Sequence, residues 1–285
     1  MERVSPSDSM QSEIAYALDR VKMADGGGFD IAWAAEHHCI NLTIGPNPFN
    51  ILTHWAANTS RIRLGTAVLV APYWHPIRLA SEAALTDHYS EGRLEVGLGR
   101  GAFQYEFDRM GDGMPHVQGG QYLREMVPLV KKLWQADCAH DGKFWKFPLS
   151  TSVPRPTQVP FPPLWISARN PDSFNFAVLE ETDILSAPLF KPFQEVRNLA
   201  NKLETACRNN PSKPRPRWTV LRQTVVYEKK EDWNAIADYA LSHGRRFEGL
   251  FSTRGVVENG FPQAVDIDKG ETGRLTLGDI GEGTL

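Results

Sequence analysis

The sequence predicts an α/β fold built on parallel strands, and two patterns along its 285 residues support this prediction. Short, nearly continuous apolar runs recur, as expected of strands whose two faces are both covered. Segments with helical spacing of apolar residues separate these runs, and repeated strand–helix units place the strands parallel to one another. Because such crossovers are right-handed, the sequence leaves either a doubly wound sheet or a (β/α) barrel.

Six strands and seven helices are predicted in alternation. The strands are runs dominated by apolar residues: Asp30–Ala35, Arg63–Val70, Arg93–Gly99, Leu164–Ala168, Asp183–Ala187 and Thr219–Tyr227. The helical patterns between them are Ser12–Ala24, Pro48–Asn58, Pro76–Tyr89, Gln121–Trp134, Asp172–Glu181, Pro192–Arg208 and Glu231–Ser242, of which the last has apolar residues spaced three and four apart. This order is the one that a barrel or a doubly wound sheet requires.

One stretch, residues 142–163, interrupts the alternation because it contains six prolines. Proline lacks an amide N–H, so this stretch is neither a regular helix nor a central strand. We expect an excursion there, a short hairpin followed by an extended segment. The Gly-rich, charged tail over residues 266–285 is expected to be weakly structured, which leaves residues 1–265 as one α/β domain.

Composition argues against several classes of protein. The net charge of −3 gives no general attraction to nucleic acid or to anionic membranes. No apolar run approaches the roughly 18 residues of a transmembrane helix, and the first residues lack the apolar core of a signal peptide. The widely spaced Cys39, Cys138 and Cys207 predict neither a disulfide framework nor a zinc site. We therefore expect a cytoplasmic protein that binds no metal, nucleic acid or membrane.

The first predicted strand ends in Glu36-His37-His38. Active sites of barrels and open α/β sheets form at the carboxyl ends of strands. On an extended chain Glu36 and His38 share a face and His37 points the other way, so the two histidines make a poor metal pair. Histidine titrates near neutral pH, which favours a role in proton transfer. Two histidines with a purely structural role remain the alternative.

A glycine-rich segment follows the third predicted strand. Gly97, Gly99 and Ala102 match the dinucleotide pattern G-x-G-x-x-A, but further glycines predict irregular chain until about Gln121. The acidic residue that this fingerprint needs is also missing. We favour instead an anion site, in which glycines let the backbone approach a phosphate and Arg100 binds it. An arginine in a structural ion pair is the remaining alternative.

A second candidate for phosphate binding is Asn170-Pro171-Asp172-Ser173, after the fourth strand. Proline suits the first position of a helix, and the N–H groups at a helix start together with a serine hydroxyl bind phosphate. The same residues also make a good helix cap. Because this segment and Arg100 both follow strand ends, we expect them to form one site.

A series of short motifs occurs in order over about residues 12–230: Gly28-Phe-Asp, Glu36-His-His, Pro46-Asn-Pro, Thr59-Ser-Arg-Ile-Arg-Leu-Gly-Thr-Ala-Val68, His75-Pro-Ile-Arg-Leu, Leu85-Thr-Asp-His, Gly92-Arg-Leu, Gly97-Leu-Gly-Arg-Gly, Tyr105-Glu-Phe-Asp-Arg and Pro162-Pro-Leu-Trp. This ordered series resembles the bacterial luciferase-like flavin monooxygenase family. The resemblance implies a (β/α)8 TIM-type barrel that binds reduced FMN, supplied by a partner flavin reductase. It implies a monooxygenase that uses FMNH2 and O2, through a C4a-peroxyflavin, on a small aldehyde- or ketone-like substrate. A non-catalytic FMN-binding protein or truncated relative, and an F420-dependent oxidoreductase, are the alternatives.

The resemblance also implies roles for individual residues. His37 corresponds to the active-site histidine and Arg100 to the arginine of the FMN phosphate. Ala67–Val68 matches a place where the family often has a non-proline cis peptide under the flavin ring. His75 and Phe103 are implied neighbours of the substrate pocket. The residues implied to bind the cofactor are Ala67, Val68, Arg100, Gly101, Ala102, Asn170 and Ser173.

Three departures from the family pattern are visible in the sequence. The chain opens with polar residues before the Ser12 helix, and no strand and helix are evident after Val265. We therefore expect a barrel that lacks its first strand and its last strand and helix. The resulting free edges favour pairing with another chain, and a homodimer is expected. Gln121 stands where relatives commonly carry a phosphate-binding arginine, which predicts reduced FMN affinity.

Overall fold

The computed structural model describes residues 1–189, 191–224, 226–250 and 256–264. Its strands are β1 (Ile31–Ala34), β2 (Arg63–Thr66), β3 (Leu69–Val70), β4 (Leu94–Gly99), β5 (Cys138–Asp141), β6 (Lys146–Ser150), β7 (Leu164–Ser167), β8 (Asp183–Leu189), β9 (Trp218–Arg222), β10 (Val257–Glu258) and β11 (Phe261–Pro262). Its helices are α1 (Met10–Gly26), α2 (Pro48–Ala56), α3 (Pro76–Tyr89), α4 (Gln104–Met110), α5 (Gly119–Gln135), α6 (Pro171–Leu179), α7 (Phe193–Asn209) and α8 (Trp233–Gly249).

The main sheet has the strand order β1-β2-β4-β7-β8-β9, with β3 paired to β4, and all of these pairs are parallel. The sheet curls like part of a barrel, and helices alternate with its strands. This confirms the predicted fold class, a TIM-type barrel that is incomplete within the described residues. No strand precedes α1 in residues 1–9. The carboxyl ends of the parallel strands lie at one edge, where the candidate site forms.

The two faces of the sheet carry different residues. Paired residues of parallel strands share a face, so Leu64 and Leu94 point together to the helix-covered side, where both are fully buried. On the other face the Trp33 ring occupies the space beside Gly65, where a Cβ would lie 2.2 Å from the ring. Small and aromatic residues thus alternate along the inner face, whereas the apolar core fills the outer face.

The amino-terminal part of the inner face is occupied by a charged network around Glu95. This carboxylate is buried and forms an ion pair with Arg63. It also accepts hydrogen bonds from Arg217 Nη2 at 3.0 Å and from Trp165 Nε1 at 2.5 Å. A buried carboxylate requires such charge-assisted partners. The network therefore secures the end of the sheet opposite the strand carboxyl ends.

Most predicted elements are present, with three corrections. The predicted strand Arg63–Val70 is two strands, β2 and β3, and the cis peptide at Ala67–Val68 lies between them. The predicted strand Thr219–Tyr227 ends earlier, since β9 stops at Arg222. The chain before Gln121 is not wholly irregular, because α4 forms directly after the glycine-rich segment.

The proline-rich excursion contains a hairpin, as predicted, but the hairpin begins before residue 142. β5 and β6 pair antiparallel, and two cis prolyl bonds, Val153–Pro154 and Val159–Pro160, lie in the extended segment that follows. The tail predicted to be weakly structured, residues 266–285, lies outside the described residues. Within the described part of the chain, no helix is both long and apolar enough to cross a membrane.

Candidate active site

Glu36 and His38 form one pair at the end of β1, on a shared face as the sequence predicts. His38 Nε2 lies 2.8 Å from Glu36 Oε1, and the other oxygen of this buried carboxylate accepts hydrogen bonds from Val70 N–H at 2.6 Å and Trp74 Nε1 at 2.9 Å. The hydrogen bond to Glu36 raises the pKa of His38, against the effect of burial. Glu36 therefore joins the end of β1 to β3 and to the turn after it.

His37 points to a different carboxylate. Its Nδ1 lies 3.1 Å from Glu106 Oε1, and the same oxygen accepts the backbone N–H of His38 at 2.8 Å. A carboxylate only accepts, so Nδ1 carries the proton in this contact and Nε2 is left as the reactive nitrogen. Nε2 makes no hydrogen bond to the described residues. A histidine held in this way can take up or give a proton at Nε2.

Glu106 is the functional residue that the sequence interpretation missed. It lies on α4 and is only 1% exposed. The signal for it is its position between Phe103 and Phe107, which are spaced four residues apart and are both buried. A glutamate on the buried side of a short helix needs a partner, and His37 supplies it.

Aromatic rings surround the two histidines. The His37 ring is stacked on Phe103, with centroids 5.1 Å apart, and the His38 ring contacts Tyr73 edge-on at 5.5 Å. Tyr73 also packs against Phe107 at 5.2 Å. The Tyr73 hydroxyl is buried without a hydrogen-bond partner in the described residues, and burial raises the pKa of this phenol. The histidines thus lie in a largely apolar setting.

The cis peptide at Ala67–Val68 lies beside Gly99 of β4. At Gly99 an added Cβ would lie 2.3 Å from Val68 Cγ2 and 3.7 Å from Ser167 Cβ. The Val68 side chain therefore occupies the space beside Gly99, and only glycine at this position lets it pack so closely against β4. Backbone bonds hold both residues of the cis pair, from Ala67 N–H to Ala34 and from Glu36 N–H to Val68. We call Val68, Gly99 and Ser167 the inner floor.

Arg100 directly follows this floor and is exposed. Its Nη1 makes one long hydrogen bond, 3.5 Å, to the carbonyl of His116. Gly101 has φ +80°, and a Cβ there would lie 2.5 Å from the Phe107 ring, so only glycine fits. Ala102 packs against the cluster that contains Phe103. The segment thus connects the exposed arginine to the aromatic wall beside His37.

The side chains of Asn170 and Ser173 form hydrogen bonds with the backbone at the start of α6. Asn170 Oδ1 accepts Ser173 N–H at 2.9 Å, and Ser173 Oγ accepts the N–H groups of Arg169 and Asn170 at 3.0 and 3.1 Å. This reciprocal arrangement is a capping box. Their role as phosphate ligands stays a prediction, and the capping alternative is realised in this structure.

His75 lies at the start of α3 and its ring faces the hairpin. Its Nδ1 caps α3 by accepting the Ile77 N–H at 3.3 Å, and its ring lies 5.6 Å from that of Phe147 in the hairpin. Burial lowers the pKa of His75. Its described contacts are therefore with α3 and the hairpin, and its place in a substrate pocket stays a prediction. At Gln121, Lys143 Nζ from the same hairpin donates to the side-chain oxygen at 2.6 Å.

The family model of luciferase-like monooxygenases matches residues 1–271. The chain belongs to this family. The oxygenase component of the flavin-dependent trigonelline monooxygenase of Acinetobacter baylyi is 43% identical over 238 residues, which cover 84% of this chain and 66% of that protein. The alkanal monooxygenase alpha chain of Photorhabdus luminescens is 31% identical over 110 residues, which cover 38% of this chain and 30% of that protein.

Solved structures show the same fold. The monooxygenase RslO1 from Streptomyces bottropensis superposes with a TM-score of 0.73 at 26% identity, over 86% of this chain and 74% of that chain. The oxygenating constituent of 3,6-diketocamphane monooxygenase from Pseudomonas putida, solved in complex with FMN, superposes with a TM-score of 0.71 at 20% identity, over 86% and 74% of the two chains. This chain therefore spans about two thirds of the length of the Acinetobacter baylyi relative and about three quarters of the length of these two solved chains.

Proposed function

We propose that this protein is the oxygenase component of a two-component flavin monooxygenase, which uses reduced FMN from a separate reductase and O2 to oxygenate a small organic substrate. The observation that carries the proposal is the pair of His37 and buried Glu106 at the carboxyl edge of the sheet. The 43% identical relative, named as an oxygenase component, supports the same assignment. A homodimer remains part of the proposal.

The inner floor and the arginine beside it fit FMN. The Val68 side chain packs over Gly99, and this apolar contact is the surface against which the flavin ring would pack. The FMN phosphate needs a cation, and Arg100 is exposed and makes only one long hydrogen bond to the described residues. We infer that Ala67, Val68, Gly101 and Ala102 line the cofactor, with Asn170 and Ser173 at its phosphate end. Bound reduced FMN would supply the electrons that activate O2.

The role proposed for His37 follows from its two ring nitrogens. Glu106 binds Nδ1 and stabilises a positive charge on the ring, while Nε2 is left to hold or transfer a proton. The Phe103 ring covers one face of the imidazole and excludes water there. A side chain that transfers a proton in this way accelerates a reaction by about 10²–10⁴-fold.

The substrate class is proposed in two steps. The sequence resemblance implies an aldehyde or ketone, and the relative in Acinetobacter baylyi is named for trigonelline. Trigonelline is therefore the first substrate to test, followed by a long-chain aldehyde. The F420-dependent secondary alcohol dehydrogenase, with a TM-score of 0.71 at 17% identity, shares the fold alone. An F420-dependent oxidoreductase remains the second candidate and is tested beside the first.

The experiment combines binding with oxygen incorporation. The purified chain is titrated without oxygen with reduced FMN and, separately, with reduced F420. It is then mixed with ¹⁸O₂ and each substrate, and the product is analysed by mass spectrometry. We expect binding of reduced FMN and one ¹⁸O atom in the product. Binding of reduced F420 alone, or FMN binding with only hydrogen peroxide released for every substrate, contradicts the proposal.

A variant tests the assigned residue. We expect His37→Ala to retain its affinity for reduced FMN and to lose about 10²–10³-fold in turnover, within the range for a lost proton-transfer group. His54→Ala, an exposed histidine on α2, is the matched control and should leave both unchanged. Equal turnover of His37→Ala and the unaltered protein would show that His37 is a structural histidine.

A further inference from the structure

The Phe103 ring, which stacks on His37, is itself in contact with α8. Phe103 and Phe247 meet edge to face, with ring centroids 5.6 Å apart and planes at 84°, and aromatic pairs favour this arrangement. The planes of His37 and Phe103 are inclined by only 30° at 5.1 Å. Phe247 lies beyond the series of family motifs, which ends at about residue 230. Three rings from three separate segments therefore form one continuous row at the candidate site.

The Phe103 ring belongs to a small apolar cluster that is separate from the main core. The loop after β1, the segment before α4 and the chain directly after α8 contribute its buried residues, which are Ile40, Leu42, Phe103 and Leu250. Phe247 is partly buried and packs against this cluster. Because the cluster leaves Phe103 only 2% exposed, the position of this ring depends on α8 as well as on the main sheet.

The backbone of Phe103 also fixes the start of α4. Its carbonyl accepts the N–H groups of Glu106 and Phe107 at 3.1 and 3.3 Å, and no side chain caps this helix. A short helix without a side-chain cap depends on packing to hold its first turn. A shift of Phe103 would therefore move both the ring on His37 and the Glu106 carboxylate that binds Nδ1 of His37.

Hydrogen bonds outside the apolar cluster tie α8 to the loop after β1. Arg246 Nη2 of α8 donates to Glu2 Oε1 at 3.1 Å. The next residue along the amino-terminal segment, Arg3, donates its N–H to the carbonyl of Asn41 at 2.9 Å, and the Asn41 N–H donates to the carbonyl of Gly260 at 2.6 Å. These contacts hold the end of α8 in place and keep Phe247 against Phe103.

We propose that Phe247 is a positioning residue for His37: the edge of its ring holds Phe103 against the imidazole, which keeps His37 aligned with Glu106 and shields one face of it from water. This inference rests on the proposed function, in which His37 transfers a proton. A displacement of reacting groups by about 1 Å can cost about 10²-fold in rate. Phe247 therefore acts on turnover through Phe103 and His37.

The first test measures the accessibility of His37 without flavin or substrate. Diethyl pyrocarbonate acylates unprotonated imidazole nitrogens, and peptide mass spectrometry gives the rate at each histidine. We expect Phe247→Ala and the milder Phe247→Leu to raise the rate at His37 several-fold, and Phe247→Tyr, which keeps the ring, to leave it unchanged. His54 of α2 and His140 of the hairpin are internal references and should keep their rates.

The second test measures turnover at saturating reduced FMN. Phe247→Ala should lower turnover by about 10–100-fold and retain its affinity for reduced FMN, whereas Phe247→Tyr should turn over like the unaltered protein. Phe161→Ala is the matched control, because this half-buried ring packs beside Trp134 on the main core. It should change neither the rate at His37 nor turnover.

The two tests separate this inference from the proposed function. An unchanged rate at His37 in Phe247→Ala or Phe247→Leu overturns the role of Phe247 and leaves the oxygenase proposal in place. An equal rise at the reference histidines, or in Phe161→Ala, does the same, since either result would reflect general loosening of the fold. If the unaltered protein oxygenates no substrate, the proposed function fails, and the reactivity of His37 still decides whether Phe247 positions it.

Discussion

Glu106→Gln is the substitution that tests the candidate site most directly. Glutamine has nearly the same volume as glutamate, and its side-chain oxygen can still accept from His37 Nδ1 and from the His38 N–H, at the present distances of 3.1 and 2.8 Å. The buried position, 1% exposed, is therefore preserved in shape while one negative charge is removed. Any effect on turnover then reports the charge next to His37.

The expected loss of turnover follows from replacing a charged hydrogen-bond partner of His37 with a neutral one. A hydrogen bond to a charged partner contributes about 1.5–3 kcal/mol and a neutral one about 1 kcal/mol. Because the His37 side chain is only 18% exposed, solvent screening reduces this difference little. The positively charged form of His37 should lose about 1–2 kcal/mol of stabilisation, which corresponds to roughly 5–30-fold in the rate of a proton-transfer step.

The assay measures turnover at saturating reduced FMN, with the affinity for reduced FMN determined separately. We expect turnover to fall by about 5–30-fold, less than for His37→Ala, and flavin affinity to stay within about twofold of its original value. Asp108→Asn, which removes an exposed carboxylate from the same helix, is the control and should have no effect. Unchanged turnover in Glu106→Gln would refute the role of this carboxylate in proton transfer.

Two further predictions concern the groups around the second histidine. Tyr73→Phe removes a buried hydroxyl that has no partner in the described residues, so the free energy of unfolding should stay the same or rise by up to about 1 kcal/mol. A decrease of the unfolding free energy by more than about 1 kcal/mol in urea denaturation would show that the hydroxyl forms a hydrogen bond in the folded protein. For His38→Gln, the sign follows from the pKa of His38, which Glu36 raises. The Glu36–His38 pair stabilises the folded state fully below the unfolded pKa of about 6.5, and this stabilisation is lost as the pH rises through the folded pKa. The difference in unfolding free energy between the unaltered protein and His38→Gln should therefore shrink from pH 6 to pH 9, and a difference that stays constant across this range would contradict the pairing.

The elements that the sequence predicts best are those with strong local signals. The strand predicted over Arg93–Gly99 is present as Leu94–Gly99. It was predicted well because its residues are buried on both faces, which gives a nearly continuous apolar run. The helix Pro76–Tyr89 has the predicted ends, since His75 caps it and Pro76 suits its first position. α4 was not predicted because seven residues are too few for a clear helical period.

The contacts of the candidate site also differ in whether a local sequence pattern predicts them. Glu36 and His38 are two residues apart, so the geometry of an extended chain predicts that they share a face. His37 and Glu106 are 69 residues apart, and no local pattern predicts that contact. Asn170 and Ser173 form a sequence that suits both a helix cap and a phosphate site, and the sequence alone cannot choose between these. Contacts between distant segments are set by the tertiary fold rather than by local spacing.

The pairing of His37 with a carboxylate from α4 has a consequence for how the protein responds to heat. α4 is a seven-residue helix without a side-chain cap, whereas β1 belongs to the main sheet. Short helices outside the main sheet open at a lower free energy than the packed sheet itself. On heating, we therefore expect His37 to lose its contact with Glu106 before the main sheet melts.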